Sequence, residues 1–453
     1  MKLPLKPPDI DHFLAQLVQG NHTQDLAKLL SLSCGICDKR GRYLHWDKLR
    51  FAEPPEGLTA EEYWFVTKVA RNKYARRLSL QDEQGQSMHF CVTDELLRAL
   101  HWLDQHAAGQ VSMPQPIADS GMRDTYLVSS LIEEAINSSQ LEGASTTRDV
   151  ARAMLQQNRK PHDKSEQMIV NNYRAMQEIR ELKEEVLSPA LIFHLHQVLT
   201  ENTLDQPEKA GRFRTDEDDV QVVDHRDGQV LHCPPAASSL PLRLKQLCDF
   251  ANDEDSTNFI HPVNKAIILH FMLGYDHPFV DGNGRTARAL FYWYMAKKDF
   301  WLIEFVSISK VIKQAPAQYA KAFLYCETDN NDLTYFLMHQ IGVLQKSIDE
   351  LFVFLEQKTN ELTQTQQLLK GSKLQGRLNH RQLDIIHHAL NQGSAIFTIQ
   401  THRHQHATSY QTARTDLLTL SDEFALLDKR KQGKGFVFYV PDDLAQRIEN
   451  LAG

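Results

Sequence analysis

The chain has 453 residues, 42% of them hydrophobic and 24% charged, with a formal net charge of −8. Length suggests roughly three domains at about 150 residues each, and the acidic balance argues against a nucleic-acid coat over the whole surface while leaving a local basic patch open. No apolar run approaches the roughly 20 residues of a membrane-spanning helix, the start Met-Lys-Leu-Pro-Leu-Lys-Pro-Pro lacks a signal-peptide core, and six cysteines in so long a chain make no disulfide framework, so a cytoplasmic protein without a membrane partner is expected.

Residues 1–110 read as an N-terminal region without evident chemistry. Asp9 to Leu30 has helical periodicity, and Leu44, Trp46 and Leu49 suggest a short strand or hairpin. Trp64 to Leu78 reads as a helix whose Arg71, Lys73, Arg76 and Arg77 form a solvated basic face. Asp82 to Ser87 reads as a turn and Leu96 to His106 as an amphipathic helix. The pair Cys34-Gly-Ile-Cys37 has the spacing of half a zinc site or a redox pair. No second close Cys/His pair accompanies it, so two small residues at a strand end are expected there.

A helix from Asp124 should end at Gly143, a residue suited to the position after a helix C-terminus. Glu142 then falls in the last turn, where the helix dipole disfavours a carboxylate by about 0.3–1 kcal/mol. Such a placement suggests a cationic partner elsewhere in the chain. Ser138 lies one turn back on the same face. Thr146-Thr147-Arg148-Asp149 offers an N-cap pattern for another helix, and Ser165 to Glu185 and Leu191 to Thr200 continue helically. After Gly211-Arg212-Phe213-Arg214, two short apolar runs, Val220 to Val223 and Val230-Leu231-His232, flank a turn with Asp227-Gly228. They read as a hairpin.

The most informative stretch is His277-Pro-Phe-Val-Asp-Gly-Asn-Gly-Arg-Thr-Ala-Arg288. Upstream, Ile267, Ile268, Phe271 and Met272 suit a buried helix, which Pro278 should end near His277. Gly282 and Gly284 allow positive φ and close backbone approach. A second helix beginning near Arg285 would aim free N–H groups at one point, a site for an anion. Arg285 and Arg288 sit three apart on it, and their guanidinium forks suit phosphate oxygens. Asp281 makes sense as a Mg²⁺ ligand, since Mg²⁺ is usually shared between one or two carboxylates and substrate phosphates. His277, ordinarily near pKa 6.5, suits a general base. No Gly-Lys-Ser/Thr follows, which excludes a Walker-type phosphate loop.

This stretch resembles, without departure, the signature of the Fic (filamentation induced by cAMP) family, His-Pro-Phe-x-Asp/Glu-Gly-Asn-Gly-Arg-x-x-Arg. The upstream His261-Pro262 and the helix through His270 are also similar to that family. The resemblance implies a protein adenylyltransferase that moves AMP from Mg-ATP to a Ser, Thr or Tyr hydroxyl. It implies His277 as the base, Asp281 as the metal ligand, and Gly282, Asn283 and Gly284 as an anion hole. Arg285, Thr286 and Arg288 complete the ATP site. Ser138-Ser139-Gln140-Leu141-Glu142-Gly143 matches the family's inhibitory motif Ser/Thr-x-x-x-Glu-Gly/Asn. Its place before the signature resembles the subclass with an N-terminal inhibitory helix, in which Glu142 would pair with Arg288. The hairpin near 220–232 resembles the flap on which a target segment docks by strand addition. The target could include the chain itself. Removal of AMP by Glu142, another nucleotide donor, and a DNA-binding regulator with a nucleotide-sensing core remain alternatives.

Beyond the signature, Tyr319 to Tyr325 and Leu333 to Leu355 read as helices. Leu337, Ile341, Leu344, Ile348, Leu351 and Leu355 form a stripe suited to a bundle or to a homodimer seam. Gln357 to Arg377 reads as a helix end and linker. His380 to Tyr439 reads helix, turn, helix, hairpin. Phe424 to Leu427 and Phe436 to Val440 flank the basic turn Lys429 to Gly435. This region resembles a winged helix with Ser409 to Ser421 as recognition helix, which implies DNA or protein as partner through 380–440, although Asp416 and Asp422 dilute its charge. His402, His404 and His406 alternate wrongly for one helix face and are expected at the surface. The expected fold class is mainly α: a Fic-type helical core of 111–356 with a hairpin flap and an inhibitory helix near 124–143. An α+β region at 1–110, a linker at 357–377 and a winged helix at 378–453 complete it.

Overall fold

The structure is a computed structural model that describes residues 2–19, 28–30, 32, 34–55, 57–108, 120–224, 226–254, 258–370, 373–391, 395–406, 408–432 and 435–451. It is mainly helical, with small antiparallel sheets, as the apolar periodicities require. No described helix is long and apolar enough to cross a membrane.

The chain opens with helices α1 (Ile10–Gln19), α2 (Trp46–Leu49) and α3 (Ala60–Tyr74). The strand or hairpin expected at Leu44 to Leu49 is instead the short helix α2. The His45 ring caps it by accepting the Asp47 N–H at 3.1 Å. The helix expected over Trp64 to Leu78 ends at Tyr74, so Arg76 and Arg77 lie on the strand that follows, and the basic face left on α3 is only partly solvated. Arg71 is 0% exposed and lies 3.7 Å over the Tyr43 ring. It donates to the Tyr335 hydroxyl and to the carbonyls of Ile36 and Leu44. With its donors satisfied, the charge tolerates burial. Cys34 and Cys37 lie in a loop rather than at a strand end and are free thiols, both raised in pKa by burial.

Strands β1 (Arg76–Gln81) and β2 (Ser87–Phe90) form the hairpin around Asp82, whose carboxylate accepts the N–H groups of Gln84 and Gln86. The hairpin and α4 (Asp94–Leu103) pack into the main core with the helices that follow, although sequence places them in a separate N-terminal region. The boundary expected at 110–111 lies outside the described residues. The helices are α5 (Ser120–Leu141), α6 (Arg148–Gln157), α7 (Lys164–Glu181), α8 (Pro189–Thr200), α9 (Leu240–Asn252), α10 (Pro262–Asp276), α11 (Asn283–Lys297), α12 (Ile308–Gln314), α13 (Pro316–Thr328) and α14 (Thr334–Leu368). Between α8 and α9 stands the expected hairpin, β3 (Val222–Val223) with β4 (Val230–His232); His225 in its turn lies outside the described residues. Central α10 and α11 are buried over nearly their whole length and form the floor of the fold. The Leu337-to-Leu355 stripe is taken up by this core, which answers the bundle alternative rather than a seam for a second copy.

Helix α14 runs on through Leu368, and Leu369 and Leu374 join a second core. That core holds α15 (His380–Asn391), β5 (Ile396–Thr398), α16 (Ile399–Gln405), α17 (Tyr410–Leu418), β6 (Asp428–Gln432), β7 (Gly435–Tyr439) and α18 (Leu444–Asn450). The three strands form an antiparallel sheet in the order β5-β7-β6. Three expectations change here. The basic residues Lys429, Arg430 and Lys431 are not a turn between strands but the edge strand β6 itself, where exposed charge also discourages further pairing; Gly433 and Lys434 lie outside the described residues. His402 and His406 are buried, not superficial: they lie four apart, His402 on α16 and His406 at its C-cap. His402 meets Asp416 at 3.1 Å. Asp416 is itself turned inward, 3% exposed and held by Arg381, Asn379 and His402, so it does not dilute the charge of α17's outer face.

Candidate active site

The site forms where α10 ends and α11 begins. His277 closes α10 in the left-handed region, at φ 44° and ψ 57°, a conformation uncommon for a residue with a side chain. Pro278 forces the exit and Phe279, fully buried, plugs it. The Asn283 side chain then staples the loop: its Oδ1 accepts the Phe279 N–H (2.9 Å) and its Nδ2 donates to the Phe279 carbonyl (2.8 Å). Gly282 stands at the N-cap of α11 with φ +83°. A Cβ there would lie 2.7 Å from Thr200 Cγ2, so conformation and space both demand glycine.

Because Gly282 brings no side-chain cap, the first-turn N–H groups of α11 face the cleft without an intrahelical partner. The helix begins at Asn283, two residues earlier than sequence suggests, which puts Gly284 and Arg285 within that first turn. Arg285 is 1% exposed. Its Nη1 donates to the Leu199 carbonyl at 3.0 Å, its Nη2 lies 3.4 Å from Asp281 Oδ1, and Nε and Nη2 have no hydrogen-bond acceptor. Asp281 is half-exposed, and its carboxylate accepts the Gly282 N–H. Thr286 departs from its expected place among ligand-binding residues. It is fully buried and both its hydroxyl and its N–H are committed to the Gly282 carbonyl, so it braces the loop from behind.

On the other side of the cleft, the His277 Nδ1 meets the Gly274 carbonyl at 3.2 Å. Only a donor can satisfy a carbonyl, so Nδ1 carries the proton and the Nε2 lone pair is free. Burial pushes this imidazole down to about 4, partly offset by the Gly274 bond. It is therefore neutral at pH 7.

The Glu142 carboxylate reaches over the start of α11. Its Oε1 accepts from Arg288 Nη2 at 2.8 Å, and a Cβ added to Gly284 would collide with that same oxygen. Arg288, 2% exposed, also donates to Ser138 Oγ (2.9 Å) and to the Ser138 carbonyl (3.0 Å). The cationic partner that Glu142's position calls for is thus Arg288, 146 residues away. Next to this pair a cavity of about 200 Å³ is lined by His277, Glu142, Arg288, Tyr319, Phe323 and Leu231. Its wall includes the hairpin strand β4, so hairpin, base and carboxylate share one opening.

Several positioning groups escaped the sequence reading. His196 on α8 stacks on Phe279 at 3.7 Å, meets the Asp281 carbonyl at 2.9 Å and accepts the Gly211 N–H. Burial lowers its pKa to about 4, so a neutral ring serves as both donor and acceptor. Arg214 donates to the His277 carbonyl at 2.8 Å and to the Pro235 carbonyl, tying the loop to the chain beyond the hairpin. His232 on β4 bonds Glu327 at 2.8 Å and the Tyr275 carbonyl at 2.7 Å. Burial lowers its pKa, but the Glu327 contact, the Tyr275 carbonyl and the Asp276 charge together outweigh this and the net shift is upward. A histidine on the apolar face of α8, beside the more exposed His194, was the available signal for His196; nothing local distinguishes Arg214 from the exposed Arg212. Among the described residues no cluster of three or more His, Cys, Asp or Glu could hold a metal by itself.

Residues 186–295 match the Fic/DOC family. The chain carries a Fic domain. Two curated relatives are both named Protein adenylyltransferase Fic. That of Drosophila willistoni is 40% identical over 76 residues, 16% of this chain and 15% of the relative. That of Drosophila grimshawi is 46% identical over 59 residues, 13% of this chain and 12% of the relative. The matched stretch therefore spans about one-seventh of these relatives' length. The crystal structure of a Fic family protein from Desulfovibrio desulfuricans G20 aligns over 78% of this chain and 97% of its own, with a TM-score of 0.50 and 16% identity. That likeness shows the fold of the Fic domain and its surroundings.

Proposed function

We propose that this protein is an adenylyltransferase that moves AMP from Mg-ATP to a hydroxyl of a target protein, held inactive by Glu142. The observation that carries the reading is the gathering of three things in the stretch from His277 to Arg288. They are a neutral histidine with a free Nε2, a first helical turn with unpartnered N–H groups, and a buried Arg285 whose Nε and Nη2 lack acceptors. Buried, unsatisfied donors of this kind are costly unless a ligand supplies acceptors, and a polyphosphate supplies them.

The roles follow. His277 takes the proton of the incoming hydroxyl at Nε2. The hydroxyl oxygen bonds to the α-phosphorus as the bond to the β-phosphate oxygen breaks, and pyrophosphate leaves. The N–H groups of Asn283 and Gly284, with Arg285, hold phosphate oxygens; positioning and charge neutralisation supply most of the catalysis in such transfers. Asp281 fits Mg²⁺. It is a half-exposed hard-oxygen ligand on its own, as suits an ion completed by phosphates and water. When bound, the ion would neutralise charge on the phosphates. The hairpin β3–β4 beside the cleft offers backbone for a target strand. Glu142, seated on Gly284 and paired with Arg288, takes space and positive charge from the phosphates at the start of α11.

Incorporation of α-labelled ATP with Mg²⁺ tests this. Label on the chain itself or on lysate proteins should rise about 5–150-fold in Glu142→Gly and vanish when His277→Ala is added. No label in any variant would overturn the reading in favour of another donor or a nucleotide-sensing regulator.

A second reading concerns the C-terminal unit. With Asp416 turned inward, α17 carries an exposed Tyr410 and a half-buried Arg414, and strand β6 of the same unit carries the exposed Lys429, Arg430 and Lys431. We propose a winged-helix surface over 380–440 that meets DNA through phosphate contacts. Binding to duplex DNA should weaken steeply with added salt; binding absent at low salt would remove it.

A further inference from the structure

Helix α5 meets α11 along a single face. Glu134, Ser138 and Glu142 recur every four residues and meet Tyr292, Arg288 and Gly284, which recur every four residues in the opposite sense. The two rungs near Arg288 belong to the site described above; the Glu134 rung does not. Glu134 is 1% exposed. Its Oε1 accepts the Ser309 hydroxyl at 2.5 Å, and its Oε2 accepts the Ser307 hydroxyl at 2.8 Å and the Ser309 N–H at 3.1 Å. The Tyr292 hydroxyl lies 3.0 Å from Oε2 and itself accepts the Ile308 N–H. None of these groups lines the cleft around His277.

A buried carboxylate is tolerated only when donors surround it. Here the donors are Ser307 and Ser309 at the start of α12 and, on α11, the Tyr292 hydroxyl, whose one proton is also within 3.1 Å of the Val306 carbonyl. The apolar contacts of α5, through Leu131, Ile132, Ala135 and Ile136, supply attraction but little direction. A slip of one residue would rotate the helix face by about 100° and carry Glu142 off Arg288. Hydrogen bonds, being directional, resist that slip.

We propose that Glu134 is the positioning residue of the autoinhibitory helix: its buried carboxylate, gripped by Ser307, Ser309 and Tyr292, sets the rotation and height of α5 so that Glu142 reaches Arg288. The proposal rests on the reading of Glu142 as inhibitory. It implies that inhibition can be relieved two turns away from the nucleotide, with the catalytic loop untouched.

The test compares labelled AMP transfer in Glu134→Gln, Glu142→Gly and the double variant, with hydrogen exchange of the same proteins. Glu134→Gln should raise transfer by about 5-fold or more, short of Glu142→Gly, and should add nothing to Glu142→Gly. Exchange should quicken over 134–143 and stay slow over 262–276. A merely architectural role would lower transfer and loosen both segments, and that result overturns the proposal, as does unchanged transfer. Should Glu134→Gln fail to fold, Tyr292→Phe combined with Ser309→Ala weakens the grip while keeping the carboxylate, and the same rise or its absence decides. If Glu142→Gly itself brings no rise, the inhibitory reading falls, and this proposal with it.

Discussion

Helices α8 and α11 lie side by side in the core, and they begin in opposite ways. At α8 the Ser188 hydroxyl accepts the Leu191 N–H at 3.2 Å, and Pro189 removes another orphan donor. At α11 the cap is Gly282, which has no side chain to offer, and the first-turn N–H groups face a cleft. Serine or threonine caps of the first kind also open α3, α4, α12 and α17. The contrast teaches where this protein leaves hydrogen-bonding capacity unspent. Helices α6, α9, α13, α14 and α18 also lack a side-chain cap bond, so an uncapped end is not peculiar to α11; what sets α11 apart is a glycine at positive φ at its cap, beside His277 and the buried Arg285. The two are mechanically joined, because His196 on α8 holds the Asp281 carbonyl just before Gly282 and Thr200 crowds the glycine.

The largest expected effect falls on chemistry alone. In a Glu142→Gly background, His277→Ala should reduce AMP transfer by about 10²–10⁴-fold with little change in unfolding temperature; a retained rate would separate the histidine from the open helix end. Next comes pH, which acts on both helices together. His196 and His277 have folded pKa values of about 4, below the ordinary 6.5. Between those values the unfolded chain binds more protons than the folded one, so stability rises with pH across this window and is lost as pH falls from about 6.5 towards 4. Denaturant melts at pH 7.5, 6 and 5 measure this, and His196→Asn should flatten the slope. Third, Gly282→Ser would offer α11 the cap that α8 has, but at positive φ and against Thr200. A loss of about 1–3 kcal/mol in stability is expected, with transfer falling as well. Last, Ser188→Ala should cost about 1 kcal/mol in a thermal or denaturant melt and leave transfer unaltered. Equal effects on transfer at the two helix ends would erase the comparison.

Legibility in the sequence followed the range of the interaction. The loop from His277 to Arg288 was readable because each element is local: Pro278 stops a helix, Gly282 permits positive φ, and the arginines recur on one helical face. Glu142 was readable because a carboxylate at a helix C-terminus calls for a cation; the dipole argument does not say which one, and the inhibitory-motif resemblance named Arg288. Thr286 was misplaced because a hydroxyl one turn into a helix can face a ligand or bond backward to a carbonyl, and only packing selects between them. Arg71, Asp416, His402 and His406 looked like surface residues for the same reason. Each is polar by type and buried by virtue of partners distant in sequence or on another element.

The sequence by itself determined the helical architecture, the hairpin, the turn chemistry of the loop and the residue types gathered in it, because periodicity, proline and glycine act through neighbouring backbone. The family resemblance implied that Glu142 pairs with Arg288, and the structure brings the two together across 146 residues; only the tertiary structure decided that His196 and Arg214 hold the loop and that Glu134 seats the helix bearing Glu142. Those contacts join separate elements through buried charges and directional hydrogen bonds, and such bonds are specified by how helices pack rather than by any spacing along the chain.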